Sequence, residues 1–144
     1  MTRTLETLSA PLPHLQPADP AARLILFGIR QMGAQGLDEA TAANAFLTAF
    51  GVDFRRPLMM LRVLMHELSV AAARPIPIAP WCCPRMTAAE ATLVEAMRGF
   101  SENPDRSAYL IADLIGVRRA DAAVCAMAGV VSAFGDLGLP IRPD

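Results

Sequence analysis

The chain has 144 residues and a formal net charge of −1, with 53% hydrophobic and 19% charged residues. That length gives one domain with a real core. The balanced charge excludes the basic surplus that supplies most nucleic-acid affinity, and the longest uncharged helical run, Ala122 to Gly135, falls short of the ~20 apolar residues a bilayer span needs.

Ala, Leu and Met dominate the apolar residues, and aromatics make up only 6%. Ala and Leu favour helix, whereas strands draw on β-branched and aromatic residues. An apolar fraction above the ordinary ~45–50% must then go into a helical bundle or partly into a subunit interface. Met1-Thr2-Arg3-Thr4-Leu5-Glu6 lacks an apolar signal core. Three Cys, two of them adjacent, make no disulfide framework, and a reducing cytoplasm is the expected location.

Residues 1–19 carry Pro11, Pro13 and Pro17 with little periodicity and read as an extended or partly disordered arm. Residues 20–144 read as one helical domain. Asp19-Pro20 opens its first helix, with Asp as N-cap and Pro at the first helical position. Leu24, Ile25, Leu26, Phe27, Ile29 and Met32 form its apolar face, and Gly33 and Gly36 end it. Asp38 caps the second helix, where Ala42, Ala43, Phe46, Leu47 and Phe50 recur at helical spacing until Gly51.

Arg55-Arg56-Pro57 starts a third helix to about Ala73. It is apolar nearly all round except for a stripe of Arg62, His66 and Ser69, which predicts a central position. Residues 74–86 follow, where Pro75, Pro77, Pro80 and Pro84 forbid helix and favour an extended connector. Thr87-Ala88-Ala89-Glu90 has the spacing of a capping box and opens the fourth helix, with Ala89, Leu93, Met97 and Phe100 inward. Asn103-Pro104 caps a fifth, carrying Ala108, Ile111, Leu114 and Ile115 inward to Gly116. A sixth runs from about Arg119 to Leu137. Val124, Met127, Val131 and Phe134 form its core stripe. Beside it lies a small stripe of Ala122, Cys125, Ala126, Gly129 and Ala133, which lets another helix backbone come close, either in a dimer seam or against the third helix. The fold class is therefore all-α, a single bundle of five or six helices with a Pro-rich extended connector.

The connector holds the best candidate site: Trp81, Cys82 and Cys83. Adjacent thiolates are soft ligands and nucleophiles, yet a tetrahedral zinc site needs about four ligands. Cys82, Cys83, Cys125, His14 and His66 stand in no recognised spacing. Any metal would fall to Cys82, Cys83 and His66, and Cys83-Pro84 is a dipeptide found where haem is held by a thiolate. The simpler reading has Trp81 plugging the bundle end, mostly buried, with the two Cys as small buried hydrophobes. His66, beside Glu67, continues the Arg62 stripe and reads as a hydrogen-bonded or solvated face. Ala112 and Gly116 have helix-turn-helix spacing, but the second helix begins Arg118-Arg119-Ala120-Asp121-Ala122-Ala123 and offers little to a base edge.

The segment Ile78-Ala79-Pro80-Trp81-Cys82-Cys83-Pro84-Arg85-Met86-Thr87, followed by Glu90, resembles a family of small uncharacterised alphaproteobacterial helical proteins, with the similarity running from the Asp19 region to the C-terminus. The resemblance implies a bacterial cytoplasm and no particular mechanism. No catalytic set and no cofactor motif are visible. The sequence thus reads as a non-enzymatic cytoplasmic binding or interaction protein, self-associating as a homodimer, with a possible protein partner and no nucleic-acid or membrane partner. The alternatives are a thiol-based metal-, haem- or redox-sensing protein using Cys82 and Cys83, or a helix-turn-helix DNA-binding regulator. Trp81, Cys82, Cys83, His66 and Arg62 are the ligand-binding or redox candidates.

Overall fold

A computed structural model describes residue 12 and residues 14–143. Among the described residues six α-helices carry the fold: α1 Pro20–Gln35, α2 Ala40–Phe50, α3 Arg55–Ala71, α4 Ala88–Gly99, α5 Pro104–Ile115 and α6 Asp121–Asp136. Two short strands, β1 His14–Leu15 and β2 Arg85–Met86, pair antiparallel, with His14 opposite Met86 and Leu15 opposite Arg85. The arm expected over residues 1–19 is thus extended where it can be followed; residues 1–11 and 13 lie outside the described residues.

Local chemistry explains the boundaries. Asp19 accepts the Ala22 N–H at 3.0 Å and caps α1, with Pro20 just inside. The helix runs through Gly33 and stops only at Gly36, because a glycine within a helix weakens it without removing a hydrogen bond. Glu39, not Asp38, caps α2: its carboxylate oxygens accept from the Thr41 and Ala42 N–H groups, each at 2.8 Å. A hydrogen bond from the Thr41 side chain, then those from the two backbone groups, holds the Glu39 carboxyl below its ordinary pKa against the opposing push of desolvation. Thr87 and Glu90 form the reciprocal capping box of α4, and Asn103 caps α5 with Pro104 following. α3 ends at Ala71 and α6 starts at Asp121, each two residues inside the expected range.

α3 packs against three helices but is not enclosed as its nearly continuous apolar surface predicts, since Met59, Val63 and Val70 stay exposed. It makes its most extensive contact with α6 and also touches α1 and α2, while α4 pairs with α5. Leu58, Leu61, Leu64 and Leu68 of α3 are buried against Ile25, Ile29, Phe46, Leu93, Met127 and Phe134. The small stripe of α6 serves this contact. Ala126 and Ala133 are buried within the chain, and a Cβ on Gly129 would lie 2.6 Å from Met60 Sδ. Ala122 and Cys125, at the outer edge of that stripe, are exposed. Among the described residues no helix is long and apolar enough to cross a membrane.

Candidate functional site

The connector is fixed by a buried ion pair. Arg30 of α1 and Glu90 of α4 are 2% and 0% exposed. Arg30 Nε donates to Glu90 Oε2 at 2.7 Å, and Nη2 donates to Oε1 at 3.2 Å. Nη1 donates to the Cys83 carbonyl and Nη2 to the Arg85 carbonyl, both at 2.8 Å. Glu90 also accepts from the Thr87 N–H at 2.9 Å and the Ala79 N–H at 3.4 Å. A charge taken this far from water is tolerated only when paired and multiply hydrogen-bonded. Both carbonyls and the Ala79 N–H that complete the pair belong to the connector itself, so its backbone path and the pair's solvation are one requirement.

Further bonds hold the same segment at both ends. The Ala73 N–H donates to the Ile115 carbonyl at 2.8 Å. The Thr87 hydroxyl donates to the Pro77 carbonyl at 2.8 Å. Gln16 donates through Nε2 to the Cys83 carbonyl at 2.6 Å and through its backbone N–H to the Pro84 carbonyl at 3.0 Å, which brings the N-terminal strand to the connector.

The candidate residues on the connector sit at its outer turn. The Cys83 N–H donates to the Pro80 carbonyl at 3.0 Å, closing a turn with Trp81 and Cys82 at its centre. This corrects the expectation of a buried plug: Trp81 is 65% exposed, Cys82 is exposed and Cys83 half-buried. The reason is the ion pair, which claims the carbonyls of Cys83 and Arg85 from the inside and leaves the turn pointing outward. The neighbours Ile76 and Ile78, two residues apart on an extended chain, share one side and pack on the core instead.

His66 and Arg62 belong to α3 and not to that turn. His66 is exposed on α3. Arg62 Nε donates to the Leu37 carbonyl at 2.9 Å and braces the loop between α1 and α2. Among the described residues no three His, Cys, Asp or Glu side chains are placed to hold a metal ion, so Cys82, Cys83 and His66 do not converge within the chain. Near the suggested helix-turn-helix, Arg119 is paired with Asp121 at 3.0 Å.

What the structure adds is a groove of about 460 Å³ between α1, α3 and the start of the connector. Its floor is Ile29, Leu68 and Leu93; its walls include Met65, Ala72, Pro75, Ile76 and Ile78. Only Ser69 and Arg74 among its lining side chains are polar. Gly33 narrows one end: a Cβ there would lie 2.6 Å from Ile78 Cδ1, so glycine lets the connector approach α1 closely. Ligand sites in small proteins are concave and largely apolar with a few polar groups at the rim, and this groove has that composition.

Sequence reading missed both the ion pair and the groove. A trace of the first was present, since Arg30 is a lone charge amid the apolar periodicity of Leu26, Ile29 and Met32. A trace of the second was the Pro75-Ile76-Pro77-Ile78 alternation, which must turn both Ile side chains the same way.

A family model for a family of unknown function, DUF6628, matches residues 2–105. The matched stretch includes Arg30, the whole connector and Glu90, and it takes in the N-terminal residues that the sequence reading left outside the resemblance. Comparison with curated proteins and with solved structures finds no match. With the ion pair, the connector and both groove-forming helices inside the matched residues, the chain belongs to the family of unknown function DUF6628.

Proposed function

We propose that this is a non-enzymatic, cytoplasmic binding protein that self-associates, and that the groove between α1, α3 and the connector receives its ligand. The observation that carries this reading is the groove's construction. Among the described residues ten of its twelve lining residues are apolar or glycine, and the wall that closes it is held by the Ala73–Ile115 and Thr87–Pro77 hydrogen bonds, with the buried ion pair gripping the chain just beyond it at Ala79, Cys83 and Arg85. A wall held this way is preformed, so little ordering cost is left to the binding step. Self-association is supported by the apolar excess of the composition and by the outward face of α3, where Met59, Val63 and Val70 are exposed.

Nile red, a neutral apolar dye, tests the groove without presupposing a ligand. The native protein should bind it at one site per chain. Ser69→Phe, at an exposed rim position, should block that site while leaving the urea melting curve unchanged. Absence of dye binding, or binding indifferent to Ser69→Phe, rules the groove out.

The exposed turn supports a second reading, the thiol-based metal-, haem- or redox-sensing protein. Cys82 and Cys83 are open to solvent to different degrees rather than sequestered, as a reactive thiol must be. Stoichiometric zinc, or a haem absorbance band, in protein as isolated would favour this reading over the groove.

A further inference from the structure

The groove's one charged lining residue identifies a class of ligand. We infer that it takes a free long-chain carboxylic acid, with the carboxylate at Arg74 and the alkyl chain lying along Ile76 and Ile78 toward Gly33; this rests on the groove being the binding site, as proposed above. Three observations lead there.

The first is charge. Among the described residues no acidic side chain lines the groove, and Arg74 is its sole cation. Arg74 forms no ion pair with any described residue. Its one hydrogen bond runs from Nη2 to the Asp113 carbonyl at the end of α5, at 2.6 Å. A guanidinium has five N–H donors in a fork that matches a carboxylate, so the bond to Asp113 anchors the side chain and leaves donors for an anion. The bond holds the guanidinium beside Gly116, where a Cβ would lie 3.0 Å from Nε, rather than free to swing away.

The second is the absence of other polar groups. Apart from Arg74, the lining offers only the Ser69 side chain. An extended peptide would bring N–H and C=O groups for which the lining side chains offer few partners, at the cost of their desolvation. An alkyl chain brings none.

The third is shape. The groove runs from Arg74 along Ile76 to Ile78, where Ile78 packs on Gly33, and a second hollow of about 380 Å³, with Gln31 and Gln35 in its lining, lies beyond that contact. A ligand that starts at Arg74 and follows the connector is therefore elongated, with an apolar body and a single charged end.

Calorimetric titration with laurate and with dodecanol, the same chain without the charge, tests this. Laurate should bind at one site per chain and about fivefold more tightly than dodecanol, the scale of one partly exposed ion pair. Arg74→Gln keeps a donor for the Asp113 carbonyl but removes the charge, and should erase the difference; Arg74→Lys should restore most of it. Equal affinity for the two compounds in the native protein overturns the carboxylate while leaving the groove reading intact. Failure of both compounds in protein that binds Nile red at the Ser69 site also overturns the inference alone; failure of all three overturns both. Sedimentation with phosphatidylglycerol vesicles in the absence of laurate binding would assign Arg74 to a lipid surface and overturn the free acid.

Discussion

The connector side of the molecule and the α2–α3–α6 side are held by opposite means. On the α2–α3–α6 side, Phe134 of α6 meets Phe46 and Phe50 of α2 edge-on, with ring centroids 5.9 and 5.0 Å apart, and α3 closes on α6 over Gly129. Such packing is non-directional and tolerates similar shapes. On the connector side, a chain that cannot form helix is placed by hydrogen bonds to Arg30 and Glu90. Those bonds specify one backbone path, because each accepting carbonyl must sit where a guanidinium N–H points. The first side supplies stability in bulk; the second fixes the geometry of a groove wall. Surface pairs such as Arg56–Asp136, both half-exposed at 2.8 Å, do neither to a comparable degree.

The sharpest way to break this contrast is at Glu90. Glu90→Ala leaves the Arg30 guanidinium buried without its counter-charge and strips the α4 capping box of one partner. A loss of ~3–5 kcal/mol in urea unfolding is expected, the scale for an orphaned buried ion. Replacing both partners, Arg30→Met with Glu90→Leu, should be far milder for stability yet weaken Nile red binding, since the connector would lose its hold at Ala79, Cys83 and Arg85. If the double variant were as unstable as the single one, the pair would be a source of stability rather than of position.

Smaller effects should follow on the opposite side. Ala126 is 6% exposed within a single chain, so Ala126→Leu should overpack the bundle and cost ~1–3 kcal/mol. Light scattering of the wild type should give a dimer, and the mass of Ala126→Leu should be unchanged. A folded monomer from that substitution would instead place the seam on α6, and a wild-type monomer at high micromolar concentration would end the homodimer proposal.

These two sides also differ in how far the sequence revealed them. Helix positions follow from local signals: Asp19-Pro20, the Thr87–Glu90 box, Asn103-Pro104 and the glycines after α2 and α5 each act within a few residues. The misplaced cap, Asp38 for Glu39, is a one-residue error between two carboxylates of similar reach. The small stripe on α6 is visible in the sequence, which leaves its partner as α3 or a second copy. Nothing local announces the connector's path. Arg30 and Glu90 are 60 residues apart, and their pairing depends on how α1 and α4 dock. Without it, a Pro-flanked Trp with Ile neighbours looks like a plug, because apolar residues in one segment are assumed to share one environment.

That assumption is what the smallest prediction tests. Were Trp81 a plug, its truncation to Ala would cost ~3–5 kcal/mol. At 65% exposed it gives up little apolar contact, and Trp81→Ala should change stability by no more than about 0.5 kcal/mol, as surface substitutions do. Acrylamide should quench the native fluorescence, which comes from this single Trp, nearly as well as it quenches the urea-unfolded chain. Cys82 should react with a thiol reagent under native conditions faster than Cys83, whose residue is half-buried and whose carbonyl is tied to Arg30 and Gln16. In Glu90→Ala the two rates should converge, since freeing Arg30 releases the Cys83 carbonyl and loosens the turn. Slow labelling of Cys82, or a protected Trp81, would mean that another surface covers the turn in solution, and a second copy of the chain would then be the first candidate to examine there.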